Sequence, residues 1–140
     1  MNRLHTRNKR RKIFWKIIIG GAISFFLYQM IITLVKTEEL KDNKTITIGI
    51  ITGVFNNQRN TGSGLDYTFY INNKLYKGST GYPNLSSSFC ESLIGRSCPV
   101  IYSTERINYN KMLLTKEIFK IYDLEQPDSL KWIEEYVRKW

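Results

Sequence analysis

A chain of 140 residues has room for one domain at most, since domains usually run to about 100–200 residues. Its net charge of +9 looks like a nucleic-acid signal until it is mapped. Seven Lys and Arg fall within the first 16 residues with no acid among them, and beyond them 14 basic residues face all 12 acids. The basicity therefore belongs to a short tail, which excludes a strongly basic folded domain and leaves no nucleic-acid partner expected.

Residues 1–12 read as a cytoplasmic tail whose Arg3, Arg7, Lys9, Arg10, Arg11 and Lys12 set topology and touch anionic lipid. No aromatic residue is interleaved before Phe14, so the tail lacks the stacking platforms of a single-strand nucleic-acid binder. Residues 13–36 are predicted to be a transmembrane signal-anchor helix. Positions 17–35 (IIIGGAISFFLYQMIITLV) carry no charge, and 19 residues of helix span about 28 Å, close to the hydrocarbon thickness. Trp15 suits the interface and Lys16 can snorkel to the headgroups. The flank after the helix is mixed, with Lys36, Lys41 and Lys44 against Glu38, Glu39 and Asp42. The Lys/Arg bias predicts an N-terminus in the cytoplasm and a C-terminal domain outside the inner or cytoplasmic membrane, periplasmic or on the cell surface.

A cleaved signal peptide is the rival reading. Its apolar region is normally about 7–15 residues and ends at small residues. Here the run is longer and ends in Leu34-Val35-Lys36-Thr37-Glu38, a poor cleavage site, so an uncleaved anchor is preferred. Gly20 and Ser24 make a small-xxx-small pair, continued by Tyr28, with Gln29 near mid-membrane. Self-association through this stripe and a lone anchor both remain open.

Residues 37–44 read as a polar stalk, and 45–126 as a small β domain. Ile46, Ile48, Ile50, Thr52 and Val54 share one face and Thr45, Thr47 and Gly49 the other, the pattern of a half-buried strand. Residues 56–64 (NNQRNTGSG) contain no apolar side chain and read as a turn. Leu65, Tyr67, Phe69 and Ile71 alternate in a second strand. Asn72-Asn73 suits a type I′ turn, because Asn tolerates positive φ, with a third strand from Lys74; a three-residue loop including Lys74 is the alternative register. A short helix over 89–94 ending at Gly95, a strand over 98–103 and a fifth strand from Met112, extending through Ile121, complete the domain. Five short strands in meander-like order predict an SH3-like or OB-like barrel.

Residues 127–140 change period. Pro127-Asp128-Ser129 starts an amphipathic helix with Leu130, Ile133, Val137 and Trp140 at helical spacing, and Trp132 and Tyr136 widen its apolar face. Packing over the barrel is the simpler role. Trp132, Tyr136 and Trp140 are also the candidate partner surface.

The only histidine is His5, in the tail, so the region beyond the anchor cannot form a Ser-His or Cys-His nucleophile pair or a His-containing zinc site. No phosphate-binding or dinucleotide glycine motif appears, and no cofactor is expected. Scattered carboxylates such as Asp66, Glu91, Glu105 and Glu117 leave a carboxylate-dependent envelope enzyme as the alternative function. Cys90 and Cys98 are too far apart in sequence for a redox Cys-x-x-Cys motif. In an oxidising compartment the pair suggests a disulfide, worth about 2.5 kcal/mol for so short a loop.

The runs Ile50-Ile51-Thr52-Gly53-Val54, Tyr67 to Tyr76 (YTFYINNKLY) and Gly95 to Ser103 (GRSCPVIYS) resemble those of small bacterial membrane-anchored proteins of unknown function with a β-rich extracytoplasmic domain. The resemblance covers roughly 45–114. It departs where Asn73 replaces the turn glycine and where Arg106-Ile107-Asn108 replaces a Pro-containing bend. It implies a small β domain on a membrane anchor and carries no catalytic residue with it. The expectation is a non-enzymatic interaction domain with membrane lipid and an unidentified protein as partners, either an accessory subunit or an immunity-type protein. A purely structural or lipid-contacting role is a further alternative.

Overall fold

The computed structural model describes the backbone of residues 3–56 and 62–138, with side chains over 15–55 and 62–138. The chain divides into two compact units, Met1–Thr37 and Glu38–Trp140.

The first unit is helical. Helix α1 runs over Arg3–Asp42, and every side chain over 15–35 is exposed. It is long and apolar enough to cross a membrane. Thr33 and Thr37 donate their hydroxyls to the carbonyls of Gln29 and Thr33 at 2.9 Å, so these polar groups are satisfied inside the helix.

The second unit is built on a five-stranded antiparallel sheet: β1 (Lys44–Asn56), β2 (Ser63–Ile71), β3 (Lys74–Tyr82), β4 (Ser97–Ser103) and β5 (Asn110–Met112). The spatial order is β3-β2-β1-β4-β5, so the first three strands form a meander and β4 returns to the free side of β1. Asn72 and Asn73 adopt φ of 49° and 63°, and Ile71 pairs with Lys74. The hairpin is therefore a two-residue turn with positive φ at both positions, the reason two asparagines serve there. The turn expected over 56–64 falls largely on 57–61, outside the described residues.

The sheet curls around an interior of Ile51, Leu65, Tyr67, Phe69, Tyr82, Val100, Tyr102 and Met112. The rings of Tyr76 and Tyr102 stack on Phe69 at 5.8 and 6.1 Å. Short helix α2 (Ser87–Ser92) is capped by Ser86, whose hydroxyl accepts from the Phe89 N–H, and it contributes Phe89 and Cys90 to the core.

Three expectations are corrected. The polar stalk over 37–44 is helical through Asp42, because Leu40 is fully buried in the core and draws the last turns of α1 into the second unit. The fifth strand does not extend to Ile121: it ends at Met112, and α3 (Lys116–Ile121) follows, placing Ile118 and Phe119 inward at adjacent positions that an alternating strand would separate. The C-terminal segment is not an α-helix but a 3-10 helix over Asp128–Tyr136. Leu130 and Ile133, three apart, are both buried, and three-residue turns keep such a pair on one ridge. The Leu130 carbonyl, which an α-helical turn would fill from residue 134, accepts from Gln126 Nε2 at 3.2 Å.

Candidate functional site

Strand β1 is central, with β2 on one side and β4 on the other, so its two faces are distinguished only by side chains. Gly49 and Ile51 point inward, opposite Phe69 and Tyr67. Ile46, Ile48 and Ile50 point outward. The alternation alone leaves the buried face open, and what decides it is volume. A Cβ on Gly49 would lie 2.6 Å from Val100 Cγ2 and 3.4 Å from Met112 Cε, so the interior accepts glycine where an isoleucine would not fit. A bulge between Ile51 and Gly53 then shifts the alternation, returning Val54 to the inner side opposite Leu65.

The outer face continues onto the neighbouring strands. Tyr70 follows Phe69 to the outside of β2 and pairs with Leu75 of β3; Ile50 pairs with Thr68, which pairs with Lys77. Ile46, Ile48, Ile50, Tyr70 and Leu75 are each 46–60% exposed. The patch stops at β4, where Ile101, opposite Ile46, is fully buried and Pro99, opposite Ile48, is half-buried. Its edge carries Asp66, which accepts from the Ser79 hydroxyl, and Lys77 one row away.

A second aromatic surface lies around the 3-10 helix. Tyr136 stacks on Phe89 at 4.3 Å, and Trp132 meets both rings edge-on at 5.8 and 6.0 Å. The Arg96 guanidinium sits 5.0 Å from the Trp132 ring, a cation–π geometry. Trp132 is half-buried and donates its indole N–H to the Ser129 carbonyl, so it packs more than it presents. Tyr136 remains exposed, and Trp140 lies outside the described residues. Lys131 pairs with Asp128, three residues back, as the tighter helix dictates.

A cleft of about 580 Å³ runs between Tyr82–Leu85, α3 and Val137. Its lining is mainly apolar, with Glu117 as its one acid beside Lys111 and Lys120. Among the described residues no group of three or more His, Cys, Asp or Glu is placed to hold a metal ion.

Cys90 and Cys98 are buried free thiols, so the bridge expected for an oxidising compartment is not formed in this structure. Burial pushes each thiol up to about 11, reinforced at Cys90 by Glu91 and opposed at Cys98 by Arg96. Both are protonated and poorly nucleophilic at neutral pH. Two labels are expected after alkylation of protein unfolded without reductant; recovery of none would show a bridge. A folded-state pKa above the unfolded 9.0 contributes stability that is complete below pH 9. That contribution is lost as pH rises toward 11, so the denaturation midpoint is expected to fall between pH 8 and 10.5.

Searches against protein-family models, curated proteins and solved structures found no match to this chain. The geometry alone therefore carries the functional argument. Trp15, Lys16, Gly20, Ser24, Tyr28 and Gln29 are all exposed along α1, and nothing lies within 4 Å of a Cβ built on Gly20. Arg3, Arg7, Lys9, Arg10, Arg11 and Lys12 are in the helical backbone of α1, their side chains outside the described set. The C-terminal spacing points to Trp132, Tyr136 and Trp140 as a partner surface, and the structure adds the exposed β1–β3 face as a second candidate. The alternation of Ile46, Ile48 and Ile50 was the available signal, but alternation does not say which face is covered.

Proposed function

We propose that this is a single-pass membrane protein whose extracytoplasmic domain is a non-enzymatic binding module, an accessory subunit or immunity-type protein. The small curled sheet corresponds in size and strand number to an SH3-like or OB-like half-barrel. The carrying observation is the exposed outer face of Ile46, Ile48, Ile50, Tyr70 and Leu75. A monomer's largest apolar patch is commonly functional, and a contiguous one on a sheet marks an interaction site. An enzyme acting through carboxylates needs two acids in one cleft, whereas the cleft beside α3 is lined by Glu117 alone among acids. The basic tail and charge-free helix support an anchor with the N-terminus in the cytoplasm.

The test is a crosslinked pull-down from native membranes with the full chain and with Ile48→Lys. Ile48 is 59% exposed, so the variant is expected to fold while losing the enriched partner. An unchanged set of captured proteins would remove the outer face as the binding surface. A reporter fused after Trp140 checks orientation: activity restricted to a cytoplasm-only reporter would overturn the topology.

A further inference from the structure

We infer that the occupant of the β1–β3 outer face is a second copy of this chain, packed sheet against sheet; the inference rests on the binding reading above. Because β1 is hydrogen-bonded on both sides, a partner cannot add a strand to it. The face offers side chains only, and a partner must match a row of β-branched aliphatics. Sheets meet such rows with rows of their own kind, interdigitating at about 10 Å separation.

Area and charge point the same way. The exposed parts of the five side chains amount to roughly 500 Å², near the top of the range for a monomer's largest patch. Two such faces remove about 1,000 Å² from water before Thr68, Lys77 and Pro99 at the edge are added, which reaches the lower bound for a specific interface. The edge carries both signs, Asp66 and Lys77 in adjacent rows. Under a two-fold axis each copy can present its Lys77 to the other's Asp66, the self-complementarity that an isologous contact requires. An anionic bilayer would find no net attraction there, because the two edge charges cancel; the exposed aromatics on this side are Tyr70 and, opposite Gly64 at the far end of β1, Phe55. Anchoring both copies in one membrane with one orientation raises their effective concentration.

The experiment uses the full chain in membranes, carrying Ile48→Cys and treated with a short bismaleimide. A product of twice the chain mass is expected. Wild type, whose Cys90 and Cys98 are buried, and Lys120→Cys, on the exposed side of α3, are expected to give none. Adding Ile50→Lys to Ile48→Cys is expected to abolish the product, and Ile48→Lys to weaken self-association by about 30-fold or more, the scale of a central hot spot. Absence of a double-mass product, or one that survives Ile50→Lys, overturns the inference. An adduct of Ile48→Cys at another mass overturns the second copy but keeps the binding reading. No adduct, with an unchanged Ile48→Lys pull-down, removes both.

Discussion

Replacing Leu40 by alanine is expected to destabilise the Glu38–Trp140 unit by about 2–5 kcal/mol, the range for emptying a fully buried leucine site. A linker residue in a polar stalk would change stability by no more than about 0.5 kcal/mol. The difference is large enough for chemical denaturation of the full chain in mild detergent to decide. Leu40 is not alone in tying this segment down. Glu39 accepts a 2.9 Å hydrogen bond from the Ser103 hydroxyl and lies 3.5 Å from Arg106 Nε. The Thr104 N–H donates to the Asn43 carbonyl, and the Ser103 hydroxyl accepts from the backbone N–H groups of Glu105 and Arg106. The end of α1 and the bend after β4 thus form one hydrogen-bonded corner. Glu38→Ala serves as the control, because Glu38 is exposed and only faces Lys41 across 3.9 Å. A soluble fragment beginning at Asn43 would lack both Leu40 and Glu39, so a fragment should begin upstream of Glu38. An equal, small effect of Leu40→Ala and Glu38→Ala would show that the corner contributes nothing to folding.

Thr80→Val is expected to cost about 1–3 kcal/mol, although it conserves shape, because it orphans a buried donor. The curled sheet brings its two edge strands, β3 and β5, near each other, and side chains span the seam between them. The Thr80 hydroxyl oxygen accepts from the Met112 N–H at 3.2 Å and lies 3.2 Å from the Tyr67 hydroxyl. Tyr67 donates to Asn110 Oδ1 at 2.9 Å, Asn110 Nδ2 donates to the Ile107 carbonyl, and Tyr82 donates to the Met112 carbonyl at 2.6 Å. Gly78 leaves the room that the Tyr67 ring needs to reach this seam. Burial pushes Tyr67 up to about 12 and raises Tyr82 well above its ordinary value, so both remain hydroxyl donors across the working pH range. A double-mutant cycle of Thr80→Val with Asn110→Leu, read by denaturation, should show coupling of about 0.5–3 kcal/mol through their shared partner Tyr67. Strict additivity would mean that the seam is held by apolar packing instead.

Several features were legible from residues alone because a local cause fixes them. The uncharged run over 17–35 makes a helix long enough to span a membrane whatever surrounds it, since backbone satisfaction and length are internal to the segment. Asn72-Asn73 makes the tight turn because few residues tolerate positive φ twice in succession. The lone histidine at position 5 excludes His chemistry from the Glu38–Trp140 unit with no reference to fold. The tertiary structure decided what depends on a neighbour. The alternation in β1 defines two faces, but only the rings of Tyr67 and Phe69 and the approach of Val100 to Gly49 determine that the isoleucines stay outside. Leu40 looks like one apolar residue in a charged stretch until the core that receives it is assembled. The C-terminal spacing fits either helix type, and the side chain of Gln126, held to the Leu114 carbonyl at 2.8 Å, selects the tighter one by occupying the Leu130 carbonyl. Periodicity records which residues share a side; the volume and hydrogen-bonding groups opposite determine which side is buried.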